Sequence, residues 1–308
     1  MKVRLDFCDF WPGFPKTNNF FHNLLRERFE VEICDRPDFL IFADPGQDVH
    51  RVHNCVKIYF ALEVFKPDFR WCDYAFTCHS LDDPRNMRLP YYVLTVNPRQ
   101  LQKSEGEIAG IMSAKTKFCS FVVSNAKRKK THKRIEFFHR LSKYKKVDSG
   151  GAALNNIGRR IPPGAANKLE FLRPYKFNIA FENGSAPGYT TEKLTEAMQA
   201  RCVPIYWGNP RIAEEFNPKS FLNYFDFPSE EALIEKIIEL DRDDAKYMEY
   251  LRQPYFHNNQ PNEFFSHERL LNQFEKIFSA PITPVSARRY PLQLGRWIAV
   301  RKNRSNSS

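Results

Sequence analysis

Short apolar runs separated by polar turns fill the first part of the chain. Four runs have the length and the aromatic or β-branched content of buried strands: Val3–Phe7, Val31–Cys34, Phe39–Phe42 and Val56–Phe60. Between the first two runs, apolar residues recur at helical spacing, which predicts a helix over Asn18–Phe29. Strands that alternate with loops and a helix favour an open α/β sheet.

The same alternation continues in the second part of the chain. Four further strands are predicted at Lys117–Ser124, Phe177–Phe181, Val203–Trp207 and Phe221–Tyr224. Amphipathic helices are predicted at Arg134–Ser142, after Thr191, at Glu230–Leu240, at Asp244–Arg252 and at His267–Phe278. The segment Tyr144–Pro174 is rich in glycine, asparagine and proline, which predicts a lid or substrate loop. The pattern thus predicts a second α/β sheet.

Unusual polar residues gather where one predicted strand ends. The strand Phe177–Phe181 runs into a loop over Gly184–Gly188 and then into a helix, and such β-loop-α units bind ligands at the carboxyl end of the strand. The polar residues there are Glu182, Asn183, Tyr189, Glu192 and Lys193. A cation in the first turn of a helix opposes the helix dipole, whereas a bound phosphate would reverse that effect. From the residues alone, Lys193 is either a phosphate ligand or a solvated lysine.

A single carboxylate stands out in the first part of the chain. Glu63 lies three residues past Phe60, at the carboxyl end of a predicted strand and among apolar neighbours. That setting suits a general base. An ion pair or a solvated loop carboxylate is the alternative.

Composition narrows the classes of function. The net charge is +11, and six positive charges lie in a C-terminal segment that has no acid after Glu275, with another basic run at Lys127–Lys133. Because the rest of the chain is nearly balanced and shows no recognised motif, a nucleic-acid-binding protein is disfavoured. Seven scattered cysteines without a CxxC pair indicate neither a zinc site nor a disulfide framework. We expect a cytoplasmic protein without a signal peptide or transmembrane span.

Four ordered sequence pieces carry a family resemblance. They read FEN, GYTTEK, VPIYWG and FNPKSF, within a stretch that begins at Phe181. In this order and spacing they closely resemble the signature of the α-1,3-fucosyltransferases of glycosyltransferase family 10, typified by bacterial Lewis-antigen enzymes. Upstream, KIYFALEVFKPDFRWCDYAF, SNAKRKKTHKRIEFFHRL and VDSGGAALNN resemble the acceptor-side, phosphate-binding and glycine-rich segments of that family.

The resemblance implies a fold, a reaction and a set of site residues. The fold is GT-B, with two Rossmann-like domains that face each other across a cleft, and the reaction is an inverting transfer of L-fucose from GDP-β-L-fucose. By position, Glu63 matches the general base, although this chain reads Leu62-Glu63-Val64 where the family has Gly-Glu-Asn. The donor site is matched by Arg134, Asn183, Tyr189, Glu192 and Lys193. Arg128 and Arg140 are alternatives for the phosphate-binding arginine.

These inferences give a complete set of expectations. We expect an acceptor-side domain at 1–114, a donor-binding domain at 115–280 and a basic, flexible tail at 281–308. The expected partners are GDP-fucose, a GlcNAc-containing glycan acceptor of the N-acetyllactosamine, Lewis or lipopolysaccharide type and, through the tail, an anionic membrane surface. No Asp-x-Asp pair lies in the cleft segments, so no metal is required, although a divalent ion is allowed to stimulate the reaction. Another nucleotide sugar such as GDP-mannose, α-1,4 linkage and an inactive lectin-like module remain alternatives.

Overall fold

The chain forms two α/β units. The structure is a computed structural model that describes residues 1–44, 46–61, 63–124, 132–281 and 283–285. Among the described residues, one unit contains 1–89 together with 266–285, and the other contains 90–265.

The first unit is built on a six-stranded parallel sheet. Its strands are β1 (Lys2–Cys8), β2 (Glu30–Ile33), β3 (Phe39–Asp44), β4 (Val56–Ala61), β5 (Tyr74–Thr77) and β6 (Asn86–Arg88), in the order β2-β1-β3-β4-β5-β6. All six residues of β4 are buried, as expected for a central strand of a parallel sheet covered on both faces. The predicted helix between β1 and β2 is shorter than expected and forms α1 (Phe20–Leu25).

The last described helix returns to this first sheet. Helix α8 (His267–Ser279) places Phe274 against Phe21 and Phe76, with ring centroids 6.1 and 4.8 Å apart. Phe278 packs in the same way on Phe29 and Phe39. A long amphipathic helix must bury its apolar face, and this one does so on the first sheet.

The second unit is built on a five-stranded parallel sheet. Its strands are β7 (Lys117–Phe121), β8 (Val147–Ser149), β9 (Tyr175–Phe181), β10 (Val203–Trp207) and β11 (Leu222–Asn223), in the order β11-β10-β9-β7-β8. Its helices are α2 (Ile108–Ala114), α3 (His132–Leu141), α4 (Ala165–Leu172), α5 (Glu192–Gln199), α6 (Glu230–Arg242) and α7 (Asp244–Arg252). The predicted strand–loop–helix–strand order from β9 to β10 is confirmed.

The central strands and helices of this unit share one aromatic core. Phe121 of β7 stacks on Phe138 of α3 at 5.4 Å, and Phe181 of β9 contacts Phe137 at 4.7 Å. Helix α5 buries the apolar residues predicted for its inner face, which are Leu194, Ala197 and Met198. These contacts fix α3 and α5 beside the carboxyl end of β9.

Two expectations about organisation differ from the structure. The predicted boundary at residue 114 falls at 89/90 instead, and the predicted end of the second domain at residue 280 falls at 265/266, because α8 buries its aromatic face on the first sheet. The predicted loop Tyr144–Pro174 also contains β8 and α4.

The basic tail from residue 286, Arg128 and most of the basic run lie outside the described residues. Within the described ranges, no helix combines the length and apolar character needed to cross a bilayer.

Candidate functional site

A cavity opens at the carboxyl end of the second sheet. Its volume is about 430 Å³, and it is lined by residues that directly follow β7, β8 and β9, joined by residues of α3, α4 and α5. Four predicted donor-site residues line it: Arg134, Asn183, Glu192 and Lys193. Because the strands are parallel, their carboxyl ends deliver these segments to one edge of the sheet.

The ammonium group of Lys193 lies among oxygen atoms. Its Nζ atom is 3.2 Å from Glu182 Oε2 and 3.2 Å from Glu192 Oε1, and it donates a hydrogen bond to Thr191 Oγ1 at 2.9 Å. Helix α5 begins at Glu192, so Lys193 lies in its first turn as predicted. The two carboxylates offset the unfavourable position of a cation at the positive end of the helix.

Burial and charge act in opposite directions on these groups. Burial works to raise the pKa of Glu192, but the ammonium groups of Lys193 and Lys168 outweigh it and lower that pKa to about 2. Burial works to lower the pKa of Lys193, but the carboxylates of Glu182 and Glu192 hold it well above its ordinary value. The lysine therefore keeps its charge at neutral pH and can serve as a fixed cation.

A buried guanidinium supplies a second cation. Arg134 is only 3 % exposed, and its Nη1 atom donates a 2.6 Å hydrogen bond to Asn183 Oδ1. Asn183 thereby fixes the direction of the arginine fork, and a planar fork suits the oxygen atoms of a phosphate group. The alternative Arg140 points elsewhere, because its side chain pairs with Glu230 and Glu231 at the surface.

The loop after β8 approaches the end of β7 closely. A Cβ atom on Gly151 would lie 2.1 Å from the carbonyl oxygen of Val123, and one on Gly150 would lie 2.5 Å from Ile161 Cδ1. Glycine is thus required at position 151, where the close atoms are backbone, whereas a side chain at position 150 would have to displace the Ile161 side chain. The predicted glycine-rich loop forms one wall of the cavity.

Tyr189 has a different position from the other predicted donor-site residues. It is only 2 % exposed, and it is not among the described residues that line the cavity. The loop that carries it is held by Asn209, whose Oδ1 atom accepts a hydrogen bond from the Gly188 amide at 2.8 Å. Asn209 is itself fixed by Glu215 through a 2.6 Å hydrogen bond, and both side chains are buried.

Sequence analysis missed several polar residues of the cavity. Lys168 of α4 forms an ion pair with Glu196 of α5, and both line the cavity together with Arg160. Glu196 lies one helical turn after Glu192, so the sequence could have predicted that the two side chains share one face of α5. Lys168 and Arg160 come from the segment predicted to be a loop, where no periodic pattern pointed to them.

In the first unit, Glu63 lies two residues past the end of β4, as predicted. The neighbouring strand β3 ends in Asp44, which pairs with Ala61 in the sheet and accepts a hydrogen bond from the Tyr59 hydroxyl group. Burial raises the pKa of Asp44, and repulsion by Glu63 adds to that shift. The backbone next to Glu63 is fixed by His79, whose ring nitrogen lies 3.1 Å from the Val64 carbonyl oxygen.

Comparison with known proteins gives the family. The model described as "Glycosyltransferase family 10 (fucosyltransferase) C-term" matches residues 112–273, and the "Alpha-(1,3)-fucosyltransferase FucT N-terminal domain" model matches residues 5–95. The chain is 28 % identical over 272 residues to the α-(1,3)-fucosyltransferase FucT of Helicobacter pylori, which covers 76 % of this chain and 55 % of that protein. It is 36 % identical over 144 residues to human 3-galactosyl-N-acetylglucosaminide 4-alpha-L-fucosyltransferase FUT3, covering 46 % and 38 %.

Solved structures give the same fold. The crystal structure of an α1,3-fucosyltransferase matches with a TM-score of 0.77 at 25 % identity over 92 % of both chains, and a crystal structure of an α1,3-fucosyltransferase with GDP matches with a TM-score of 0.74 at 25 % identity over the same shares. The predicted GT-B class, with two parallel-sheet α/β domains, is confirmed.

The chain spans about half or less of the length of the curated relatives named above. The roles of the six site residues, the absence of a metal requirement and the membrane contact stay predictions. Because one family model alone matches more than half of the chain, this protein belongs to glycosyltransferase family 10.

Proposed function

We propose that this protein is an inverting α-1,3-fucosyltransferase that moves L-fucose from GDP-β-L-fucose to a GlcNAc-containing glycan. The observation that carries the proposal is the cavity in which Arg134 and Lys193 present two cations. A nucleoside diphosphate leaving group needs its developing charge neutralised, and fixed cations supply that stabilisation. The helix dipole at the start of α5 acts in the same direction.

The reaction assigns roles to the predicted site residues other than Tyr189. The acceptor hydroxyl oxygen attacks the anomeric carbon, the bond from that carbon to the β-phosphate oxygen breaks, and GDP leaves with the bonding electrons. Glu63 takes the proton of the acceptor hydroxyl group. Attack from the face opposite to GDP converts the β-linked donor into an α-fucoside. Asn183 orients Arg134. In this proposal Glu192 accepts hydrogen bonds from sugar or ribose hydroxyl groups of the donor.

Two alternatives have specific support. The human relative carries a 4-alpha-L-fucosyltransferase name, which favours α-1,4 linkage as the second candidate. Transfer from GDP-mannose by the same cavity is the other, because a cation pair recognises pyrophosphate and not the sugar.

Calorimetric titration of the full chain with GDP-fucose, GDP-mannose and a UDP-sugar tests the donor assignment. We expect GDP-fucose to bind, equally well with and without EDTA, and the UDP-sugar to bind at least about tenfold more weakly. Preference for GDP-mannose would overturn the fucosyl assignment, and loss of binding in EDTA would overturn the metal-free site. Transfer assays on the two galactosyl-GlcNAc isomers decide between the linkages, because Galβ1-4GlcNAc leaves only O3 of GlcNAc free beside the galactose and Galβ1-3GlcNAc leaves only O4 free; NMR spectra of the products identify the bond formed.

A further inference from the structure

Glu182 is a fully buried carboxylate to which the proposed reaction assigns no role. It directly follows β9, its exposed fraction is 0 %, and its two oxygen atoms accept hydrogen bonds from the Thr191 amide at 2.7 Å and the Thr191 hydroxyl at 2.6 Å. The second oxygen also lies 3.2 Å from Lys193 Nζ. Burying a charged group is costly unless it is paired and hydrogen-bonded. The three donors around Glu182 supply that pairing and hydrogen bonding.

The fold leaves space for this side chain at one glycine. A Cβ atom on Gly208 would lie 2.4 Å from Glu182 Cγ and 2.9 Å from Glu182 Cβ. Gly208 directly follows β10, the neighbour of β9 in the sheet. The Glu182 amide donates to the Trp207 carbonyl oxygen at 2.8 Å, which fixes the two strand ends against each other. The absence of a side chain at residue 208 is therefore a requirement for the observed position of Glu182.

We propose that Glu182 is a positioning residue that holds the Lys193 ammonium group in place for the donor pyrophosphate. Glu182 occupies the space that is left because Gly208 has no side chain. This inference rests on the proposed donor site. Lysine has a flexible four-carbon stem, and ordering it costs side-chain entropy at the moment of binding. Glu182 and Thr191 order the stem beforehand, since Thr191 both donates to Glu182 and accepts from Lys193.

A competing interpretation predicts the opposite sign. If the carboxylate only competes with phosphate for Lys193, its neutralisation would leave the cation more available and would strengthen anion binding. Glu182→Gln keeps the size of the side chain but removes its charge, whereas Gly208→Ala keeps every charge but displaces Glu182. Positioning predicts that both substitutions weaken binding. Competition predicts that the first strengthens it.

The experiment measures GDP affinity by calorimetry in full-length variants at fixed pH and salt concentration. We expect Glu182→Gln and Gly208→Ala each to weaken GDP binding about five- to twentyfold. In a Lys193→Ala background, the same two substitutions should each change GDP affinity less than about twofold, because the residue through which they act is gone. Gly110→Ala is the matched control, since a Cβ atom there meets nothing within 4 Å, and it should bind GDP as the parent does.

The possible outcomes separate the alternatives. Tighter GDP binding by Glu182→Gln, or additive effects with Lys193→Ala, would overturn the positioning role. Should Gly208→Ala fail to fold by circular dichroism, Thr191→Val replaces it, because it removes the hydroxyl group that links Glu182 to Lys193, and unchanged binding by that variant would count against the proposal. A parent protein that does not bind GDP would refute the donor site itself. Among active variants, the KM for donor should rise while the KM for acceptor stays constant, which a general loss of stability would not produce.

Discussion

The carboxyl ends of the two sheets differ in how much polar structure surrounds the predicted reactive groups. At the second sheet, Lys193 is in contact with Glu182, Glu192 and Thr191, and Arg134 is in contact with Asn183. At the first sheet, Glu63 follows a strand end next to Asp44 and forms part of a segment with partly exposed neighbours. The carboxyl end of the second sheet holds two cations rigidly, whereas the carboxyl end of the first sheet presents a carboxylate near the surface.

The difference agrees with the two tasks in the proposed reaction. Charge stabilisation on a leaving group requires dipoles and cations that are already oriented when the bond breaks. A general base has to reach one proton of an acceptor that enters from solvent, and it requires access more than enclosure. The comparison predicts that changes at the first sheet affect turnover alone, while changes at the second sheet affect donor affinity.

The largest expected effect comes from removing the carboxylate at the first sheet. Glu63→Gln should lower the rate of transfer about 10²–10⁴-fold, because an amide cannot take the acceptor proton. GDP affinity should stay within about twofold of the parent, measured by calorimetry alongside a radiolabelled transfer assay. Glu30→Gln, an exposed carboxylate on β2, is the control. Equal losses of turnover and GDP affinity would place Glu63 in donor binding or folding and would remove the contrast between the two edges.

Smaller effects should follow from removing either cation at the second sheet. Lys193→Ala and Arg134→Ala should each weaken GDP binding about 10- to 100-fold, since a hydrogen bond to a charged group contributes about 1.5–3 kcal/mol. Arg134→Lys should recover only part of the loss, because lysine lacks the planar fork. Arg140→Ala on the same helix should change GDP affinity less than about twofold, as its surface ion pairs are weak. Parental affinity in both cation variants would disprove the phosphate assignment.

Much of the site at the carboxyl end of the second sheet was predictable from local sequence. The strand β9, the loop after it and the first turn of α5 follow from apolar periodicity and turn residues, which place Asn183, Glu192 and Lys193 together. Arg134 is 49 positions from Asn183, and only the family resemblance joined them before the structure did. Such a contact depends on how α3 packs against β9 through aromatic rings, which no local pattern encodes.

Other features were hidden for identifiable physical reasons. Helix α4 lies in a segment punctuated by glycine and proline, so its contribution of Lys168 to the cavity could not be read from the sequence. The return of α8 to the first sheet depends on Phe274 finding Phe21 and Phe76, a tertiary choice among several apolar surfaces. The pairing of Glu182 with the space at Gly208 is likewise visible only once β9 and β10 lie side by side.

The last prediction concerns stability and its pH dependence at the carboxyl end of the second sheet, rather than turnover or GDP affinity. Glu192 has a folded-state pKa of about 2, against an ordinary value of 4.5, because nearby ammonium groups outweigh burial. A carboxylate whose pKa is lowered by folding stabilises the protein above its unfolded-state pKa, and this contribution is lost as the pH falls toward the folded-state value. Glu192→Gln should therefore lower the free energy of unfolding by about 3 kcal/mol at pH 7.

That stability difference should shrink with acidity. Between pH 4.5 and 2 the unfolded chain takes up the proton before the folded chain does, so the gap between parent and variant should fall to about half or less by pH 3. Urea unfolding midpoints of both proteins at pH 7, 4 and 3 measure it. Glu249→Gln, an exposed carboxylate on α7, should show no such pH-dependent gap. If the stability difference between Glu192→Gln and the parent stays constant from pH 7 to pH 3, the Glu192 carboxylate does not interact with the cations of the cavity. The contrast in electrostatic stabilisation between the carboxyl ends of the two sheets would then be lost.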